Sequence, residues 1–349
     1  MKQILKQVLG IDVAQKELVV TLGKMYNDFT LDLYAYKVFK NNKIGFAALL
    51  KWLDPIINKE IKLQFVMEAT GVYHQKFAYY LDKKKCNLTI VLPNKISNYM
   101  RTLNVRTITD KTASQAICQF GLERKLECWT KPKKVYKELQ QLTRERSQIV
   151  DERVIVKNQL HAEKTEAEPN KSSLKRLKTR IEFLNQQEKE IKIEIQNIVN
   201  KDTQLKKELK NICTIPGVGM LTAVIVIAET NGFELIRNKK QITSYAGLDI
   251  KEKQSGTSIR SKTRISKKGN RNLRKAMHLP SLSAVKYNKT HKELYLRLTA
   301  KSGVKMKGLI AVQRKLLELI YVVYKNKEGF IQNYEQQKRA TLLEIETAL

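Results

Sequence analysis

Residues 62–75 read KLQFVMEATGVYHQ. Leu63, Phe65, Val66 and Met67 make an apolar run of strand length that stops at Glu68, just before turn residues Thr70 and Gly71. A strand that ends on a carboxylate holds that group on a rigid post, so what stands beside the post decides the reading. Working outward, VLGIDV (8–13), ELVVTLG (17–23) and LDLYAYKVF (31–39) read as three successive strands with turn signals between them. IGFAALLKWLDPI (44–56) reads as a helix, 62–69 as the fourth strand and YHQKFAYYLDKK (73–84) as a second helix. NLTIVL (87–92) is a fifth strand and KTASQAICQFGLE (111–123) a closing helix.

The order βββαβαβα is that of an RNase H-like layer, in which the first strand is central and the fourth pairs beside it in parallel. The ends of VLGID and FVME then meet, and Asp12 and Glu68 stand close together. Two carboxylates at that separation repel, which raises a pKa or recruits a cation. Oxygen donors of this kind suit Mg²⁺ and phosphodiester chemistry. Taken singly, each acid is an ordinary strand-end residue; the pair in this strand order reads as a metal site. TITDKTASQAI offers Asp110 as a third ligand or as a helix N-cap, and one helical turn on, position 113 is Ala.

Composition points to the partner. The chain has 349 residues with 66 Lys plus Arg against 34 Asp plus Glu, a formal net charge of +32 that favours a polyanion, nucleic acid first. A hydrophobic content of 42% allows two or three buried cores, and 7% aromatics with a basic rather than low-complexity bias argue against global disorder. The N-terminus lacks a signal-peptide core, and the longest apolar run, MLTAVIVIA (220–228), is too short to span a bilayer. The expectation is a cytoplasmic protein with no membrane partner. Four scattered cysteines far from the four histidines indicate neither disulfides nor zinc.

From about 134 the pattern turns purely helical. Val135, Leu139, Leu142, Ile149, Val156 and Leu160 keep a three-four spacing with Arg146 and Arg153 at seam positions. After the break EPNKSS (168–173), positions 174, 177, 181, 184, 188, 191, 195 and 198 repeat it, all apolar except Glu188. Two helices of roughly 45 to 60 Å follow. They fold back as a hairpin or zip against another chain.

The third region opens with CTIPGVGMLTAVIVIAE (213–229) and ends in a long amphipathic helix near KMKGLIAVQRKLLELIYVVYK (305–325). IPGVG resembles the hairpin of a helix-hairpin-helix element, where Gly217 and Gly219 let backbone N–H groups reach a phosphate; it reads equally as a plain interhelical turn. Residues 251–275 carry ten Lys or Arg and one acid, Glu252. Gly256 and Gly269 with several Ser and Thr make this a flexible loop able to wrap a nucleic-acid backbone through Lys253, Arg260, Lys262, Arg264, Lys267, Lys268, Arg271 and Arg274, or else a solvated basic face. From spacing alone, Ser255 is one hydroxyl among many.

Together these segments resemble a known family, the DEDD-type insertion-sequence transposases related to the Piv/MooV DNA invertases, which include the bridge-RNA-guided recombinases. The matching pieces are GIDVAQKEL, MEATGVYH, NVRTITDKTASQAICQFGL, IPGVGMLTAVIVIAE, SYAGLDIKEKQSG and ISKKGNRNLRKA, in family order along nearly the whole chain. The resemblance implies an α/β RNase H-like (RuvC-like) N-terminal domain (1–130), a long helical coiled-coil insert (131–210) and a mostly α C-terminal transposase domain with the helix-hairpin-helix element (211–349). It implies Mg²⁺ on Asp12, Glu68 and Asp110, and Ser255 as the nucleophile that cuts and rejoins DNA. The family's fourth acid falls on Ala113, which leaves that corner to water, to Asp110 alone or to a residue such as Ser114. DNA, a structured guide RNA and a homo-oligomer, dimer or tetramer, are the implied partners. A RuvC-like nuclease without a covalent step and a catalytically impaired nucleic-acid-binding scaffold are the alternative readings.

Overall fold

The computed structural model describes residues 2–332 apart from 70, 104, 106, 235, 253, 256–258 and 261–262, with backbone only at 259 and 260. The chain divides into two compact units between 131 and 132.

The first unit is a five-stranded sheet. Strands β1 (Ile4–Val13), β2 (Glu17–Tyr26) and β3 (Leu31–Lys40) form an antiparallel meander, α1 (Lys43–Leu53) leads to β4 (Leu63–Glu68), and α2 (Gln75–Lys83) leads to β5 (Asn87–Val91). The sheet order is β3-β2-β1-β4-β5, with β4 parallel to both β1 and β5. A short helix, α3 (Pro93–Met100), and then α4 (Asp110–Glu123) complete the unit. Period-2 alternation assigns the two faces. Leu9, Ile11, Phe65 and Met67 point into one core with Phe46, Leu49 and Phe77, while Val8 and Val66 point into another with Ile117, Cys118 and Phe120 of α4. Where α4 crosses β1 there is no room for a side chain: a Cβ on Gly10 would stand 2.3 Å from the Cys118 amide nitrogen. The mixed sheet fits the RNase H-like expectation. Helix α3 was not legible in the sequence; Pro93 at its first turn was its one start signal.

The second unit begins with α5 (Lys134–Thr165) and α6 (Lys171–Lys201), which pack on each other along the expected seam. Within this chain they form a hairpin, with Leu139, Leu142, Ile149 and Val156 sharing one core with Leu184, Ile191, Ile195 and Val199. Glu188, the polar exception in the second helix, meets the exceptions in the first: Arg146 Nη2 donates to its Oε1 at 2.6 Å, Arg153 bonds its Oε2, and Lys192 lies 2.8 Å away. The same core continues through α7 (Thr203–Cys213), α8 (Met220–Glu229) and α9 (Lys239–Tyr245).

Within the basic segment, the described residues show local pairing that composition did not announce. They form short antiparallel pairs, β6 (Ile250–Lys251) with β9 (Arg264–Ile265) and β7 (Gln254–Ser255) with β8 (Ile259–Arg260). Helices α10 (Arg271–Ala276), α11 (His278–Tyr287), α12 (Lys289–Ser302) and α13 (Lys305–Asn326) close the unit. Among the described residues no helix is long and apolar enough to cross a membrane.

Candidate functional site

The carboxylate end of the sheet follows from strand register. Ile11 pairs with Met67, so Asp12 and Glu68 are the next residues on two adjacent parallel strands, on the face covered by α4. Both are half-buried. Burial pushes the Asp12 carboxyl above its ordinary value and the charge of Asp110 pushes it further, against a backbone hydrogen bond from Val13. Burial and then the charge of Asp12 do the same to Glu68. Asp12 thus feels both other acids, and among the described residues no Lys, Arg or His forms an ion pair with any of the three.

Asp110 is exposed in the first turn of α4, and it is not the cap. Thr109 is the N-cap: its hydroxyl accepts from the Thr112 amide at 3.2 Å, and the Thr112 hydroxyl accepts from the Thr109 amide at 2.8 Å. Ala113 supplies no oxygen at the next turn. Ser114 is fully buried, with its hydroxyl 2.7 Å from that of Thr21 and donating to the Lys111 carbonyl at 2.8 Å, so it is engaged away from the acids. The donor chemistry, unpaired oxygens that repel one another, fits a hard divalent cation. The three acids do not close around one point: among the described residues no group of three or more His, Cys, Asp or Glu is placed to hold a metal ion.

In the second unit, Ser255 is exposed at the last residue of β7, paired opposite Ile259 of β8. Lys253 and Lys262 lie outside the described residues, as does the side chain of Arg260. Arg264, Lys267, Lys268 and Arg271 are exposed. Arg274 differs, because its guanidinium donates to the Ala246 carbonyl at 2.7 Å and fastens the hairpin base. Gly217 has φ +95°, and a Cβ there would stand 2.7 Å from the Ala284 amide nitrogen, so this glycine is accounted for by the approach of α11. Gly219 is the N-cap of α8 and faces open space.

Sequence reading missed Glu229, the acid that ends the apolar run of α8. It is 2% exposed, and Arg144 clamps it with two hydrogen bonds of 2.7 and 2.8 Å. Asn270 donates to it at 2.7 Å, Asn272 at 3.1 Å and Gln140 at 3.3 Å. Burial alone would raise this carboxyl; the Arg144 and asparagine donors outweigh it and hold the pKa below the ordinary value. An acid closing an apolar run in a strongly basic chain was the available signal.

A mixed sheet ordered β3-β2-β1-β4-β5, with acids at the ends of two neighbouring parallel strands, fits an RNase H-like domain. Two family models match in chain order: an IS110-type DEDD transposase model over residues 9–166 and the "Transposase IS116/IS110/IS902 family" model over residues 209–296. The pilin gene-inverting proteins of Moraxella lacunata and Moraxella bovis are each 26% identical, over 93% of this chain and 98% of their own. Among solved structures, T. thermophilus RuvC in complex with a Holliday junction substrate covers 35% of this chain at 10% identity with a TM-score of 0.27. The chain belongs to the IS110-type transposases related to the DNA invertases, and it is a DNA-recombining enzyme. Its partner is DNA, and the DEDD transposases generally use divalent metal ions.

Proposed function

We propose that this transposase cuts and rejoins the DNA of an insertion sequence through Ser255, with Mg²⁺ as its divalent ion. The observation that carries the reading is the placement of Ser255, an exposed hydroxyl at the end of a paired strand in a segment that also presents Arg264, Lys267, Lys268 and Arg271. The serine oxygen forms a bond to phosphorus as the DNA's bridging P–O bond breaks, leaving a phosphoserine linkage and a free hydroxyl end. Attack by that hydroxyl or by a second strand's hydroxyl on the phosphoserine phosphorus breaks the serine–phosphorus bond and returns the proton to the serine oxygen, so rejoining needs no high-energy co-substrate. Lysines and arginines at 253, 260, 262, 264, 267, 268 and 271 hold backbone phosphates, as does the open α8 N-terminus at Gly219.

Asp12, Glu68 and Asp110 would hold the Mg²⁺, which supplies charge neutralisation at phosphodiester oxygens when bound. The close placement of Asp12 and Glu68 on adjacent strands, with no cation paired to them among the described residues, and their raised carboxyls support that role. In family terms the DNA is selected by a structured guide RNA and the chain works as a homo-oligomer, a dimer or tetramer; the net charge of +32 suits two polyanionic partners. The α7–α8 turn serves as a helix-hairpin-helix contact and α5–α6 as a coiled-coil arm, so the working division is 1–130, 131–210 and 211–349.

The test is a denaturing gel on a supercoiled plasmid carrying the complete element. A protein–DNA adduct mapped by mass spectrometry to Ser255, and absent in Ser255→Ala, is the expected result. Cleavage that persists in Ser255→Ala, needs Mg²⁺ and leaves free ends overturns the covalent step in favour of a water-using nuclease.

A further inference from the structure

The hairpin bearing Ser255 is made of two-residue strands, which cannot hold their own position. Its placement comes from its base. Lys267 N–H donates to the Gly247 carbonyl at 3.1 Å, Ser266 N–H to the Asp249 carbonyl at 2.8 Å, and Asn270 N–H to the Tyr245 carbonyl at 2.7 Å. The Ser266 hydroxyl reaches Asp249 Oδ1 at 2.5 Å. Gly269 packs so tightly on this ring that a Cβ would lie 2.5 Å from the Gly247 amide nitrogen and the Tyr245 carbonyl oxygen.

All of those contacts join one part of the hairpin base to another. Beside the apolar contacts of Leu248 and Leu273 with the helical core, the buried polar link from the base to that core runs through Glu229. Its carboxylate accepts from Asn270 and Asn272, on either side of Arg271, and its own carbonyl accepts from the Tyr245 hydroxyl at 2.9 Å. Asn270 meanwhile caps α10, its Oδ1 accepting from the Leu273 amide at 3.0 Å. Glu229 therefore grips both chain segments that leave the hairpin. On its other side it is clamped by Arg144 of α5, and Lys275 ties α10 to Asp151 of the same helix at 2.6 Å.

We infer that Glu229 is a positioning residue for the serine-bearing hairpin: its buried carboxylate, through Asn270 and Asn272, fixes the hairpin base to α5 and α8. The inference rests on the proposed role of Ser255 for its catalytic consequence and on geometry alone for its structural one. An uncharged Gln at 229 presents an amide group to donors that need an acceptor, so it loosens the base while leaving the apolar core of α8 intact.

The test pairs two readouts on the full chain. Hydrogen exchange in Glu229→Gln is expected to rise about tenfold or more at Leu248, Lys267 and Asn270, with Val224 and Ile227 unchanged. Adduct formation on the element-bearing plasmid is expected to fall about 100-fold, the scale of a misplaced reacting group, with plasmid affinity unaltered. The double variant Glu229→Gln/Asn270→Asp returns one carboxylate to the same hydrogen bond and keeps the α10 cap, so it should restore both. Unchanged exchange at the hairpin base, equal loosening of the α8 core, or full adduct formation despite a loosened base each overturns the inference. If the wild type makes no adduct, the serine reading fails by itself. The plasmid recombination rate then replaces adduct yield, and a loosened base with undiminished recombination again overturns the positioning role.

Discussion

Replacing Glu188 by Gln removes the one acid that two seam arginines share. The carboxyl is 5% exposed, and burial, which opposes its charge, is outweighed by Lys192, Arg153 and Arg146, so that its pKa falls from 4.5 to about 2. At 1.36 kcal/mol per unit, a fall of that size corresponds to roughly 3 kcal/mol in favour of the ionised, folded hairpin. Allowing for the solvent that reaches Lys192, we expect Glu188→Gln to cost roughly 2–3 kcal/mol. Hydrogen exchange of α5 and α6 amides near 146–153 and 184–192 would then be about 30- to 150-fold faster than in the wild type at pH 7. The sign with pH follows from the lowered value: the contribution is complete above 4.5 and is lost as pH falls from there through about 2. The wild type should therefore converge on the variant in acid, and the variant should lack this slope. Equal exchange at pH 7, or a wild type whose hairpin gains protection on acidification, would refute the reasoning. Replacing Arg146, Arg153 and Glu188 together by Leu should instead be neutral or stabilising, because no charge is left unpaired in the seam.

Other outcomes follow from the same geometry. Asp12→Asn and Glu68→Gln should abolish strand transfer with DNA affinity nearly unchanged, and activity surviving in either, or in EDTA, would reject the metal site. Because both carboxyls are raised, the metal-free protein should lose their contribution as pH rises through the folded values, while Mg²⁺ affinity, read by calorimetry, strengthens over the same interval. DNA binding should weaken with salt at about −0.9 in log–log slope per phosphate neutralised, and Arg264, Lys267 and Lys268 changed together to Gln should flatten that slope. Gly217→Ala forces a Cβ against Ala284 at positive φ and should cost roughly 2 kcal/mol or more in urea unfolding of the C-terminal unit.

The sheet was legible because its strands announce themselves locally: VLGIDV, ELVVTLG and FVME alternate or run apolar over strand lengths, and their order sets the register that brings Asp12 beside Glu68. The helical seam was legible for the same reason, including its misfits, since Arg146, Arg153 and Glu188 interrupt an otherwise apolar period and prove to be partners. What stayed hidden depends on distant partners. Two-residue strands in a Lys- and Ser-rich segment leave no periodic trace, and the acceptors that hold Asn270 and Arg274 sit up to 41 positions away, at Glu229 and Ala246. Helix α3 buries only Ile96 and Tyr99, too little to print a pattern.

At the start of α4, the turn is held by Thr109 and Thr112, and the acid between them at 110 takes no part in holding it. Folding and chemistry are thus written in separate letters at this corner of the chain. On the metal-binding role proposed for Asp110, a single change at 110 would remove that ligand and leave the Thr109–Thr112 helix start as it was. For a mobile element this means that decay of activity need not be decay of the product: a silenced copy goes on supplying an intact basic protein. Such a protein would compete for the same DNA as its active sisters, and silenced copies are then expected to act as a brake on live ones.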